Sequence, residues 1–140
     1  MSNLNRFIEA QKADYQQALA EIKNGRKRSH WMWYIFPQIQ GLGFSDISRH
    51  YAIQDLAEAE AYLQHPVLGR RLVEICHALL GLHNSDANQI LGSPDDLKLK
   101  SSMTLFAALP AANPVFQAVL TKFFNGVGDD KTLRILGSKA

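Results

Sequence analysis

Ser29-His30-Trp31-Met32-Trp33-Tyr34-Ile35-Phe36-Pro37-Gln38 holds both tryptophans of the chain and, in Trp33-Tyr34-Ile35-Phe36, the one stretch with the composition of a β-strand. No other segment alternates β-branched residues, so the chain reads as all-α. Residues 25 to 45 then read as a long aromatic loop, punctuated by Gly25, Pro37, Gly41 and Gly43 and containing one short helix. Aromatic faces stack on bases and sugars, and the preceding run Arg26-Lys27-Arg28 attracts phosphate, so the segment has the chemistry of a nucleotide-type pocket. Trp and Phe also anchor loops in a core, and for each ring the sequence leaves both roles open.

Outward from this segment the helical signals accumulate. Between Asn5 and Asn24, Phe7, Ile8, Tyr15, Ala18, Leu19 and Ile22 recur at helical spacing, and Asn24-Gly25 supplies a left-handed terminator. Asp55-Leu56-Ala57-Glu58 reads as a capping box opening a helix that runs to Gln64. His65-Pro66 breaks it, and Pro66 reads as the first-turn residue of a helix with the stripe Leu68, Leu72, Ile75, Cys76 and Leu79. A short helix from Ser85 to Leu91 precedes Ser93-Pro94-Asp95-Asp96, where a capping serine, a proline and two carboxylates predict the start of a helix reaching Leu109. Asn113-Pro114 repeats the device ahead of a helix whose apolar face, Val115, Phe116, Val119, Leu120, Phe123 and Phe124, runs up to Gly126, and Asp130 to Leu136 reads as a last short helix. The expectation is one domain spanning residues 1–140, an orthogonal array of about six helices with its aromatic loop.

Composition narrows the function classes. With 46% hydrophobic and 20% charged residues the chain is ordinary globular material, and a net charge of +2 disfavours a surface that tracks long nucleic acids. No uncharged apolar run approaches the ~20 residues of a membrane span, and Met1 to Arg6 lacks the pattern of a signal peptide. The expected location is cytoplasmic. The single cysteine, Cys76, reads as a buried, reduced thiol. Walker, Gly-x-Ser-x-Gly, His-Glu-x-x-His and Cys-x-x-Cys signatures are absent, and the five histidines include no i, i+4 pair, so neither a metal nor a cofactor is expected.

The segment Ser29 to Gln38, with Gly41-Leu42-Gly43, Tyr51-Ala52-Ile53, Ala61-Tyr62-Leu63, His65-Pro66-Val67-Leu68-Gly69 and Ser93-Pro94-Asp95-Asp96-Leu97-Lys98, resembles a bacterial family of unknown function often labelled calpastatin. The resemblance covers about Phe7 to Leu136 and implies a compact all-α fold. Calpain inhibitors of that name are disordered segments, whereas this composition is globular with capped helices. Phe44-Ser45 and Ser48-Arg49-His50-Tyr51 are similar to the Ser-Glu-His-Tyr region of the NADAR (YbiA-like) family, which implies an ADP-ribose-type ligand. That family carries glutamate where Arg49 stands, so binding carries over more readily than glycosidic hydrolysis.

The expected site lies between the aromatic loop and the Asp95 helix and takes a small anionic, nucleotide-like ligand. Trp31, Trp33 and Phe36 wall it, Arg26, Arg28, Arg49 and Lys98 contact phosphate, and Gln38 and Ser102 select polar groups. His30 and Asp95 are the candidate proton-transfer, or catalytic, groups for an N-glycosidic reaction. The alternative is a non-catalytic interaction domain whose Trp, Tyr and Arg side chains anchor an unspecified protein partner.

Overall fold

Phe7, Gln11, Tyr15, Ala18, Leu19, Glu21 and Ile22 lie on one buried stripe of helix α1 (Asn5–Lys23), which fixes the orientation of everything N-terminal to the aromatic segment. The computed structural model describes residues 3–139, the side chains of 138 and 139 excepted. After α1 come α2 (Met32–Ile35), α3 (Asp46–Tyr51), α4 (Leu56–Gln64), α5 (Leu68–Leu80), α6 (Ala87–Leu91), α7 (Asp95–Ala107), α8 (Val115–Phe124) and α9 (Asp130–Lys139). The architecture is all-α, with nine helices among the described residues where about six were expected. The additional ones are short. In α3 no residue is buried, so it carries no apolar stripe by which the sequence could announce it.

Helix α7 forms the centre, packed by α4, α6, α8 and α9, while α5 lies between α1, α4 and α8. Its Leu99, Ser101, Ser102, Met103, Thr104, Leu105 and Phe106 are all buried, so it is enclosed on nearly every side. Ser102 and Thr104 therefore serve close helix packing. Rings of Phe7, Tyr62, Phe106 and Phe116 continue one another at centroid separations of 5.1 to 5.6 Å and thread the core from α1 through α4 and α7 to α8. No helix among the described residues is long and apolar enough to cross a membrane.

Several chain ends depart from expectation in instructive ways. The α1 terminator forms as read: Gly25 has φ +81°, and the Arg26 amide donates to the Glu21 carbonyl at 3.0 Å, closing a Schellman motif. At α4, Asp55 accepts from the Glu58 amide at 2.9 Å, but Glu58 reaches to the Gln54 amide and to Arg6 as well. Pro66 precedes α5 rather than opening it, because the His65 ring accepts from the Val67 and Leu68 amides and takes the capping role itself. Ser93 does not cap α7. The Ser93–Pro94 peptide is cis, Pro94 occupies the cap position without a side-chain acceptor, and the Asp96 amide is received by the Gly92 carbonyl at 2.9 Å.

Glu21 ties α1 to the segment that follows. Its Oε1 accepts from the Arg28 amide at 2.7 Å, the Ser29 amide at 3.0 Å and the Trp31 indole N–H at 2.9 Å, and its Oε2 accepts from the Ser29 hydroxyl at 2.7 Å. Burial alone would raise this carboxyl's pKa, yet the four hydrogen bonds outweigh it and hold the pKa down, from 4.5 to about 2.

Two outcomes follow for the folded protein. Because the Glu21 pKa is depressed on folding, its contribution is present above about 4.5 and lost as pH falls toward about 2. Glu21→Gln should therefore cost on the order of 3 kcal/mol in urea unfolding at pH 7, with the gap to wild type closing across that acid window. Cys76, free, buried and 3.6 Å from the Met103 sulfur, has its thiol pKa pushed up by desolvation. Iodoacetamide should alkylate it quickly in denaturant and hardly at all in native protein.

Candidate functional site

The chain leaving α2 runs through Pro37 and Gln38 into a single parallel bridge between Ile39 and Ile53. The Gln40 amide donates to the Ile53 carbonyl at 2.9 Å, and the Ile53 amide donates to the Gln38 carbonyl at 2.8 Å. Between the two bridged segments the loop and α3 bulge outward and enclose a cavity of about 400 Å³ lined by Trp33, Gln38, Ile39, Gln40, Gly41, Gly43, Phe44, Ser48, Arg49, Tyr51 and Ala52. Its wall is held from behind by Arg6. That guanidinium pairs with Glu58 at 2.8 Å and donates to the carbonyls of His50 and Ala52, each at 2.8 Å.

A second cavity of about 300 Å³ adjoins the first and shares Gln38, Gly43 and Ser48 with it. Its other side is formed by the first turns of α7 and α9, with Pro94, Leu97, Lys98, Ser101, Asp129 and Lys131, and by Leu42. The partition is thin. A Cβ built on Gly43 would stand 2.6 Å from the Ser48 Cβ, so the loop can approach α3 this closely only with glycine there.

Of the expected residues, the structure brings Trp33, Gln38, Arg49 and Lys98 to these two cavities. Trp33 is half-buried on the first cavity's wall, with the Lys98 ammonium 5.0 Å from its ring centroid. Arg49 is exposed and makes no side-chain hydrogen bond or ion pair with the described residues. Gln38 faces both cavities.

The others lie elsewhere. Trp31 is 1% exposed and Phe36 fully buried, so both belong to the core, Trp31 because its indole N–H is consumed by Glu21. Ser102 is enclosed within α7's packing, its hydroxyl without a hydrogen-bond partner among the described residues, and the neighbouring Ser101 lines the second cavity in its place. His30, Arg26 and Arg28 have exposed side chains and line neither cavity. Asp95 stands behind the site. It receives Lys27 at 2.8 Å and Lys98 at 3.6 Å, while Lys27 lies 5.1 Å from the Trp31 ring centroid. The two lysines on Asp95 are thus each placed over one of the two tryptophans. Neither His30 nor Asp95 lines either of these two cavities.

Ile39, Gln40, Gly43, Phe44, Ser48, Tyr51 and Lys131 line the cavities without having been singled out as site residues. The Gly41-Leu42-Gly43 punctuation and the string Ser48-Arg49-His50-Tyr51 were the available signals for most of them. Lys131 had none, because only the docking of α9 beside the loop brings it there. Among the described residues no group of three or more His, Cys, Asp or Glu side chains is arranged to hold a metal ion.

Residues 1–136 match the family model described as a protein of unknown function, DUF1810. The chain belongs to this family. It is also similar to a solved structure, the conserved hypothetical protein Rv1873 from Mycobacterium tuberculosis, with 46% identity, 96% of each chain covered and a TM-score of 0.93. No curated protein matches it.

The two tryptophans of this DUF1810 chain should respond differently to truncation. Trp31→Ala removes a fully packed ring and leaves the Glu21 carboxylate short of a donor, an expected loss of about 3 to 5 kcal/mol in denaturant unfolding. Trp33→Ala removes a half-exposed ring and should cost about 1 to 2 kcal/mol.

Proposed function

We propose that the cavity beside Trp33 binds a small anionic, nucleotide-like molecule, of which an ADP-ribose-type compound is the instance suggested by the Ser48-Arg49-His50-Tyr51 string. The observation that carries this reading is the state of Trp33: an indole left half-open on the wall of a cavity of about 400 Å³ that is also lined by Arg49, a guanidinium without a side-chain hydrogen bond or ion pair among the described residues. Concave, mainly apolar sites with a few convergent polar groups are where small molecules bind, and an open aromatic face accepts a base or another planar ring. Arg49 supplies charge complementary to an anion, and the Gln38 and Gln40 amides offer both donors and acceptors for a ring edge or a sugar hydroxyl.

Binding is favoured over N-glycosidic hydrolysis. Such a reaction needs a proton donor or acceptor within reach of the scissile bond, and the titratable side chains on the cavity are Arg49 and Tyr51. His30 is exposed elsewhere, and Asp95 is engaged by two lysines. A second reading, a protein-interaction surface, is supported by Phe44 and Leu97, which stand 72% and 58% exposed at the rims of the two cavities.

A thermal-shift panel of nucleotides and ADP-ribose separates the readings. A ligand present at ~100 times its dissociation constant adds about 2.7 kcal/mol, a rise on the order of 10 °C for a chain of this length. Trp33→Ala should weaken the responding compound by about tenfold or more in calorimetric titration, the value of one lost base–aromatic stack. No response across the panel would transfer the assignment to the interaction surface.

A further inference from the structure

Each of the two aromatic residues at the outer edge of the first cavity carries on its ring a lysine that lines the second. Lys98 lies 5.0 Å from the Trp33 centroid and Lys131 lies 5.7 Å from the Phe44 centroid, and both lysines line the second cavity. We propose that the second cavity is a phosphate subsite distinct from Arg49, so that the ligand is a phosphorylated molecule whose aromatic ring sits by Trp33 and Phe44 and whose phosphate lies between Lys98 and Lys131.

This inference rests on the ring-binding reading of the first cavity and adds the class and polarity of the ligand. The thin partition is what makes the two cavities one site. Gly43 has no side chain to separate them, and Gln38 and Ser48 present polar groups to both. The Ser48 hydroxyl accepts from Ser45 at 2.8 Å, which leaves its own proton free for a phosphate oxygen.

The first turns of α7 and α9 add their N-terminal dipole ends to the same side. Asp129 also lines the cavity, but its Oδ2 is engaged by the Thr132 amide at 2.9 Å and the Thr132 hydroxyl at 2.6 Å, where it caps α9. The cavity lining thus carries two lysines and one carboxylate, the latter oriented by its capping of α9. Lys98 is shared with Asp95, which holds it beside the Trp33 face, so Lys131 is the cation available chiefly to a ligand.

Titration calorimetry with adenosine, AMP and inorganic phosphate on wild type, Lys131→Met and Arg49→Met tests this. Lys131 is exposed near the start of α9, so its replacement should leave folding intact. The expected result is that wild type binds AMP at least tenfold more tightly than adenosine, that Lys131→Met loses most of that gain while its adenosine affinity stays unchanged, and that inorganic phosphate alone binds more weakly than AMP. If the gain survives in Lys131→Met and disappears in Arg49→Met, the phosphate lies in the first cavity and the subsite is overturned while ring binding stands. Equal binding of AMP and adenosine, or phosphate alone matching AMP, also overturns it. Binding of none of the three by wild type removes both this inference and the reading on which it rests.

Discussion

The buried Glu21 carboxylate is the constraint from which the arrangement of the aromatic segment follows. A carboxylate with so little solvent is tolerated only when donors surround it, and the four that reach Glu21 come from residues 28 to 31. The chain leaving α1 must therefore fold back on the last turn of that helix before α2 begins. Trp31 is drawn into the core as part of the same network. In a helical turn a residue two positions on points ~200° away, so Trp33 emerges on the opposite side, toward the loop and α3. One buried charge thus separates two tryptophans that the sequence places side by side.

What lies around Trp33 is held by polar contacts between elements distant in the chain. Arg6 on α1 joins Glu58 on α4 and the carbonyls at the end of α3, while the Ile39–Ile53 bridge closes the base of the loop. Lys27, Asp95 and Lys98 link the start of α7 to both tryptophans. Because the side chains of Arg6 and Glu58 are only 9% and 4% exposed, removing either would leave the other charge poorly compensated, which makes this pair more than a surface ion pair. The cavity is open at its mouth, where Phe44 is exposed, and braced behind, where the charges are paired.

The physics of helix formation explains which parts were legible. Stripes in α1, α5 and α8 are long enough for the 3.6-residue period to emerge, and the Gly25 and Asp55 signals act through neighbouring backbone groups. At α5 and α7 the local signal misplaced the start by a residue or more, because His65 and the cis Ser93–Pro94 peptide changed which atoms reached the first-turn amides. α3 went unread for want of a buried face. Trp33, Gln38, Arg49 and Lys98 could be picked out by residue type, whereas nothing local distinguishes Trp33 from Trp31 or Ser101 from Ser102.

The sequence by itself determined the helical class, most of the long helices and the burial of Cys76, since periodicity, caps and apolar content act over a few residues. Tertiary structure alone decided which indole is core and which is open, that His30 and Asp95 line neither cavity, and that Lys131 joins Lys98 at one of them. Those outcomes depend on how α1, α7 and α9 dock against the loop, and docking is set by the sum of many contacts between residues far apart in the chain. No short window of sequence contains that sum.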